Sequence, residues 1–490
     1  MVKIDELQSI NGDKLRAYQK EFLHSHVAKY KHVATFDEMG VGKTIQCIAA
    51  DLIRRENSNG KPTLVVAPLT GVIDQWVEAY NEWAPHLTVR RINPKKRELL
   101  FKEDADVYII HPEGLRIMKD ELKERGWNHF IFDEVHRIKN RKTKTGQAAI
   151  EVGKSAQYRT GATGTPMENY PYDLWHILKW LYPDKANREE AGIMHWTKKL
   201  LNSYWRFYER YVDYYEDPDT GYHDIQGTKN EKELRELFGP FYIRRLKSDV
   251  MKDLPPKVYQ TYNVELLPKQ RRAYDEMKDQ LLAWVGENED QPVMAPVVIA
   301  QLIRLQQFTL GYGEIKSVTK VNVDGGVRKE RVETSFTLHE PSVKLDALMD
   351  ILDDLGDKQC VVYTTSKQAV TLAALRFDKA NIPCGVITGD VPQHHRTRIL
   401  NEFKEGKTKV LIATIRSGGV GLNLQHCDTM VFLDRDWSPA KNQQAEDRLH
   451  RSGQKNSVQI IDIAAKRTID QHKNRTLEKK WSWIRNTIGV

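Results

Sequence analysis

Two regions of the chain alternate short apolar runs with longer helical stretches, and this alternation limits the fold more than any other feature. In the first region, about 15–170, the runs are TLVVAP (63–68), DVYIIHP (106–112) and HFIFDE (129–134). In the second, about 341–467, they are QCVVYTT (359–365), CGVITG (384–389), KVLIAT (409–414), MVFLD (430–434) and VQIIDI (458–463). Continuous Val/Ile/Leu runs suit strands buried on both faces, and helices between them are the crossovers that parallel strands require. The expected fold class is α/β, with two parallel sheets. A chain of 490 residues is too long for one core, which agrees with several domains.

The stretch between these regions has a different composition. Residues 172–240 are rich in Trp, Tyr and charge and read as a helical insertion whose aromatics pack a core. Residues 268–311 carry helical periodicity, and KVNVDGGVRKERV (320–332) reads as a β-hairpin turning at Asp324-Gly325-Gly326. The last residues, TIDQHKNRTLEKKWSWIRNTIGV, read as a basic helix. Four scattered cysteines (Cys47, Cys360, Cys384, Cys427) without a CxxC spacing argue against a zinc or disulfide framework. The first residues lack the apolar core of a signal peptide, and no run approaches the roughly 20 apolar residues of a membrane span. The expectation is a soluble protein of a reducing cytosol or nucleus. Lys and Arg number 75 against 67 Asp and Glu, a net charge of +8. That excess suits nucleic acid, but it equally suits a solvated surface of mixed sign.

Chemistry enters at TFDEMGVGKTIQ (35–46). Gly42-Lys43-Thr44 looks like the end of a nucleotide-phosphate loop, yet the pattern G-x-x-x-x-G-K-[ST] wants glycine where Asp37 stands. A phosphate cradle needs backbone N–H groups aimed at anionic oxygens, a helix N-terminus behind them and a lysine. Gly40 and Gly42 give the backbone that freedom, and the periodicity starts a helix near Lys43. Lys43 would pair with the β- and γ-phosphates and Thr44 would help hold Mg²⁺. An ordinary glycine turn capping a helix would look the same. FIFDEVH (130–136) separates the two readings: a buried strand ends in Asp133, able to hold Mg²⁺, and Glu134, able to orient an attacking water. Together the two segments point to NTP hydrolysis. In QQAEDRLHRSGQ (443–454), Arg448 and Arg451 are spaced i,i+3, as on one helix face. Such arginines stabilise developing γ-phosphoryl charge, and losing one typically costs on the order of 10³–10⁵ in rate.

In order along the chain, the blocks LRAYQ (15–19), DEMGVGKT (37–44), LVVAPLTGVIDQW (64–76), DEVHRIKN (133–140), ATGTPMEN (162–169), FYIRRLKSDVMKDLPPK (241–257), VITGD (386–390), TIRSGGVGLNL (414–424) and QAEDRLHRSGQ (444–454) resemble a superfamily-two helicase core. In detail they resemble the Swi/Snf-type DNA-dependent ATPases and translocases. The resemblance implies two RecA-like lobes with helical insertions and a C-terminal helix. It sets the first lobe at 1–240 with its insertion at about 172–240, a linker with a helical protrusion and hairpin at 241–340, the second lobe at 341–467 and a basic helix at 468–490. It implies ATP as the nucleotide, read at adenine by Gln19 and held by Gly40, Val41, Gly42, Lys43, Thr44, Gly421, Gln444, Arg448 and Arg451. Glu134, Lys43, Arg448 and Arg451 would be catalytic, with Thr44 and Asp133 holding Mg²⁺.

By the same resemblance, Thr163, Gly164 and Thr165 couple hydrolysis to lobe movement. Lys139, Asn140, Thr70, Thr365, Arg416, Ser417 and Gly418 would face the DNA backbone. Gly419, Gly421 and Asn423 lie in the second-lobe motif near DNA and nucleotide. Trp76 falls in a DNA-facing motif, with apolar packing as its other reading. The chain departs from the family at Glu168, Val135 and Ser417, where Gln, Ala and Ala are common, and LIRLQQFTLG (302–311) lacks the family's Cys-Asn-His. None of these departures is expected to touch the phosphate chemistry. The implied function is ATP-driven movement along duplex DNA, remodelling protein–DNA complexes or branched DNA. A strand-separating DNA or RNA helicase and the motor subunit of a larger defence or restriction complex stay open as alternatives. No chromatin-reading, RING or zinc module is expected in a chain of this size, which suggests a bacterial or viral source and a cytoplasmic location, nuclear if eukaryotic.

Overall fold

In a computed structural model of the chain, residues 3–488 are described apart from 69, 99–101, 103, 169, 183–194, 219–220, 288–294, 325–326 and 419–421. The chain forms two compact units, Met1–Leu254 with Lys479–Val490, and Pro255–Glu478. The glycines of the expected hairpin turn, Gly325 and Gly326, and the motif glycines Gly419 and Gly421 lie outside the described residues.

The first unit holds β1 (His32–Thr35), β2 (Thr63–Val66), β3 (Val89–Arg91), β4 (Val107–Ile110), β5 (Trp127–Asp133), β6 (Ala156–Ala162), β7 (Val212–Glu216), β8 (His223–Thr228) and β9 (Tyr242–Ile243). Seven of these form one sheet in the order β3-β4-β2-β5-β6-β1-β9. Every pairing in it is parallel. Every residue of β1, β2 and β4 is buried, because helices cover both faces. One face packs Phe130, Phe132, Trp127 and Trp180, and the other packs Val65, Ile131, Trp76 and Tyr80.

The insertion at 172–240 is not wholly helical. Helices Asp173–Leu181, His195–Asn202, Tyr204–Tyr211 and Glu231–Phe238 share it with an antiparallel hairpin of β7 and β8. The run VDYYE is rich in β-prone residues and lies half-exposed, which suits a strand more than a helix. Its aromatics divide: Phe207, Tyr208 and Tyr211 are buried, while Trp205 is 54% exposed.

The second unit holds β10 (Lys257–Val264), β11 (Tyr312–Asp324), β12 (Val327–His339), β13 (Cys360–Thr364), β14 (Cys384–Ile387), β15 (Val410–Thr414), β16 (Thr429–Phe432) and β17 (Val458–Ala465). Its sheet runs β10-β17-β16-β13-β15-β14, and again every pairing is parallel. β11 and β12 form the hairpin, thirteen residues a side. The segment read as a linker with protrusion, 241–340, divides between the units. Tyr242 and Ile243 pair with Ala34 and Thr35 in the first sheet, whereas Lys257–Val264 pairs along its length with Val458–Ala465 in the second. The helix at the C-terminal end runs Ile469–Ile488.

Candidate nucleotide site

Strand order places the site. β5, β6, β1 and β9 are consecutive parallel neighbours, so the segments leaving their carboxyl ends emerge along one edge, where open α/β sheets bind ligands. Those segments are Asp133-Glu134 after β5, Thr163–Thr165 after β6, Phe36–Gly42 after β1 and Arg244–Lys247 after β9.

The loop after β1 ends at Gly42, with φ 85°, and the helix Lys43–Arg55 follows directly. Gly40 also has positive φ, 82°, which only glycine adopts cheaply. A Cβ on Gly42 would stand 2.7 Å from Gln19 Nε2, so the loop and Gln19 are closely apposed. Gln19 is buried and its Oε1 accepts from Arg16 N at 2.9 Å. The Tyr18 hydroxyl donates to the Val41 carbonyl at 2.8 Å. Lys43 Nζ donates to the carbonyls of Asp37 and Glu38 at 2.9 and 3.1 Å. Thr44 is half-buried in the first turn of the helix.

Asp37 and Glu38 build the loop from within. Asp37 is fully buried and takes both arms of Arg245, Nε at 3.0 Å and Nη2 at 2.6 Å, plus Gln46 Nε2 at 2.9 Å. Glu38 Oε2 accepts from Lys247 N at 2.7 Å, and Glu38 N donates to the Arg245 carbonyl at 3.0 Å. Arg244 Nη1 donates to the carbonyls of Phe36 at 2.9 Å and Gly164 at 3.3 Å, tying the loop to the segment after β6. The sequence reading gave these arginines no role. Their signal was present as RRLK after a short apolar run.

The acidic pair has distinct environments. Asp133 accepts from Trp76 Nε1 at 2.9 Å, so Trp76, packed and 1% exposed, also anchors a carboxylate. Burial and then the charge of Glu134 push Asp133 up to about 6. Glu134 adopts φ 52° at the start of a short 3₁₀ turn. Its Oε2 accepts from Thr163 Oγ1 at 3.1 Å and lies 3.2 Å from His136 Nδ1. Burial works to raise Glu134, but His136, Lys43 and Thr163 bring it down to about 2. His136 Nδ1 also lies 2.9 Å from Thr163 Oγ1, and its Nε2 lies 3.5 Å from Glu168 Oε1. Glu168 in turn pairs with Lys139. The departure at Glu168 thus borders the imidazole that contacts Glu134, a neighbourhood its place in the sequence did not suggest.

Other expected residues fall as follows. Lys139, Asn140, Arg141 and Lys142 line a cavity of about 450 Å³ with Tyr170, Tyr172, Asp173, Tyr204 and Trp205. Thr70 begins the helix Thr70–Trp83. In the second unit, Arg448 and Arg451 do not lie on a helix face. The helix Pro439–Glu446 carries Gln444 and stops at Glu446, whose carboxylate is held by Arg435 at 2.8 Å and Lys257 at 3.0 Å. Beyond it the chain turns, with Leu424 N donating to the Arg448 carbonyl at 3.1 Å and Gly453 at φ 95°. The two arginines remain electrostatic neighbours: burial and then the charge of Arg448 lower Arg451. The hydroxyl of Thr365 is used within the unit, on Asp434. Ser417 Oγ donates to the Ile387 carbonyl at 3.1 Å, while Arg416 and Asn423 are exposed. Gly418 ends the turn Ile415–Gly418.

A family profile described as "SNF2-related domain" matches residues 18–309, and one described as "Helicase conserved C-terminal domain" matches 343–453. Among curated proteins, the SWI/SNF chromatin-remodeling complex subunit snf22 of Schizosaccharomyces pombe is 28% identical over 96% of this chain and 28% of its own length. The transcription regulatory protein SNF2 of Saccharomyces cerevisiae is 28% identical over 94% of the chain and 27% of its own length. An uncharacterized ATP-dependent helicase of Mycoplasma pneumoniae is 26% identical over 92% of the chain and 40% of its own length. The chain spans about a quarter to a third of the length of the first of these relatives. A solved Sulfolobus solfataricus SWI2/SNF2 ATPase core in complex with dsDNA is 23% identical, covers 100% of both chains and has a TM-score of 0.44.

Proposed function

The chain belongs to the SNF2-related family, and on that premise we propose that it is an ATP-dependent motor that translocates along duplex DNA, remodelling protein–DNA complexes or branched DNA. One observation carries the reading. Parallel neighbouring strands deliver Lys43, Glu134 and Thr163 to one sheet edge, with Gly42 shaped for close backbone approach.

The residues fit a nucleotide with Mg²⁺. Lys43 donates to carbonyl oxygens of its own loop, acceptors whose place phosphate oxygens would take. Asp133 is a half-buried carboxylate whose raised proton affinity marks a place where a cation is welcome. Asp133 and the Thr44 hydroxyl would hold the ion, which when bound neutralises phosphate charge. Gln19, seated against Gly42, reads adenine. Glu134, kept ionised, orients the attacking water, with Thr163 and His136 setting its rotamer. By the family resemblance, Gln444, Arg448 and Arg451 act on γ-phosphoryl charge. Lys139, Asn140, Arg416 and the segment after Thr414 serve phosphate-backbone contact, which is sequence-independent and salt-sensitive. No helix among the described residues is long and apolar enough to cross a membrane. The motor acts where its DNA is, in a bacterial cytoplasm or a nucleus.

The test is ATP turnover with and without duplex DNA, single strands, forks and RNA. Stimulation by duplex is expected, falling with salt, and turnover indifferent to nucleic acid would refute the motor. Lys43→Ala and Glu134→Gln should each lower turnover at least about 100-fold with folding intact. Displacement of a triplex strand without unwinding of a duplex would separate translocation from strand separation.

A further inference from the structure

Four aromatic rings meet a basic run. Tyr170, Tyr172, Tyr204 and Trp205 line the cavity of about 450 Å³ together with residues 139–142. The run is fixed in place. Asn140 Oδ1 accepts from Lys142 N at 2.9 Å, and Thr143 Oγ1 donates to the Asn140 carbonyl at 2.9 Å. Thr143 Oγ1 also accepts from Gly146 N at 3.1 Å, capping the helix Lys144–Gly153. The Arg141 guanidinium lies 4.7 Å from the centre of the Tyr204 ring. Among the described residues neither Arg141 nor Lys142 has a carboxylate partner. Asp173, the acid in the wall, is buried, and its Oδ2 accepts from Glu168 N at 3.1 Å and Tyr170 N at 3.4 Å. Trp205 is 54% exposed, and its ring meets Tyr204, Tyr208 and His223 at interplanar angles of 75°, 73° and 75°. Among the described residues no parallel ring covers its face.

We propose that this cavity takes an unpaired nucleotide of a tailed or forked DNA, its base stacked on Trp205 and its phosphate held by Arg141 and Lys142. The inference rests on the reading of the chain as a DNA motor, and it names a DNA structure that the motor favours. Base faces inside a duplex are covered by their neighbours, so a ring platform serves a base that has left the helix. The cavity falls within the roughly 300–1,000 Å³ of small-ligand sites, which suits a nucleotide and not a double helix. Charge excludes the other users of an aromatic cavity. A quaternary ammonium also sits on rings, but Lys139, Arg141 and Lys142 repel it, and Asp173 is committed to backbone N–H groups. A plain acidic ligand would use the cations and leave the rings idle. Rings and cations together match a group that is flat at one end and anionic at the other. Stacking reads no sequence, as a motor that tracks any DNA requires. Lys139 and Asn140, which serve phosphate-backbone contact, stand in the same wall, so a strand leaving the duplex there meets the cavity.

The experiment measures binding of the full chain to three labelled DNAs by fluorescence anisotropy: a blunt duplex, the same duplex with a single-stranded tail, and the same duplex with an abasic tail. The abasic tail keeps the phosphates and removes the bases. Wild type should bind the base-bearing tail about 10-fold more tightly than the abasic one. Trp205→Ala should lose that preference while holding the blunt duplex as wild type does. Trp205→Phe, which keeps a ring, should retain most of it. A Trp205 that only supports the fold would weaken blunt and tailed binding equally, and that result overturns the inference. So does a wild type that binds base-bearing and abasic tails alike, whatever the variants do. ATP turnover measured beside binding separates the two readings. Turnover indifferent to every DNA removes the motor and this inference together. Turnover stimulated by duplex, with the two tails bound alike, removes only this inference.

Discussion

At Asp37 a buried carboxylate stands where the general phosphate-loop pattern has glycine, and its three donors show why glycine would not serve. Arg245 grips both oxygens and Gln46 adds a third bond, so the side chain is a strut between loop, helix and the segment after β9. Removing Arg245 leaves an uncompensated buried charge, a loss of about 3–5 kcal/mol. Arg245→Ala should therefore lower the unfolding free energy of the first unit, extrapolated from urea titrations, by that amount, and a change under about 1 kcal/mol would mean that the strut is ornamental. Asp37→Gly, which restores the general pattern, should impair rather than improve nucleotide binding in a titration. Lys43, Thr44, Asp133 and Glu134 could be singled out because short local spacing brings them to notice. The partner of Asp37 was not, since it lies 208 residues away and no local pattern reports such a distance. Glu168 was noticed as a departure but dismissed, because nothing in the sequence puts it against His136.

Among the elements, the long buried strands were legible because apolar runs need two covered faces. β9 was not: two residues make no run, yet they carry Arg244 and Arg245 to the site. Arg448 and Arg451 misled for the opposite reason. Their i,i+3 spacing fits a helix, but the chain turns after Glu446, where the Arg448 carbonyl accepts from Leu424 N instead of from a helix neighbour. The hairpin of β11 and β12 extends well beyond the 320–332 read from the sequence, and its register gives a test. Its strands pair only with each other among the described residues, whereas Phe336 and Leu338 at its base are buried in the core of the second unit. Excising residues 317–333 and closing the strands with a two-residue turn should move the melting temperature by only about 2 °C or less. Phe336→Ala should cost about 3–5 kcal/mol. Calorimetry on both variants decides whether the hairpin is an appendage or part of the core.

For the whole molecule, acid should act first on one unit. His129 and His176, both in the first unit, are 0% and 3% exposed. Burial, with the charges of Arg54 for His129 and of Lys179 and Arg141 for His176, lowers each to about 4. Unfolded, they titrate near 6.5. Between these values the unfolded chain binds protons that the native unit refuses, so stability rises with pH across the window. It is complete above about 6.5 and is lost as pH falls towards 4, by about 3 kcal/mol for each histidine. Calorimetry from pH 7 to 4.5, with hydrogen exchange assigning each transition, should show the Met1–Leu254 transition falling first. A fall led by Pro255–Glu478 would contradict this.

The Asp37–Arg245 strut also sets a timetable for synthesis. Asp37 leaves the ribosome 208 residues ahead of its partner, an interval of roughly 10–40 s at ordinary elongation rates. Until Arg245 follows, the phosphate loop lacks the cation that neutralises its buried carboxylate, and β1 lacks the neighbour that closes its outer edge. Nascent chains stalled with residue 240 just emerged should fail to retain an immobilised ATP analogue, and chains stalled some twenty residues later should retain it. Ordering of the nucleotide loop would then be a late event in the making of the first unit, although the loop lies near the chain's start.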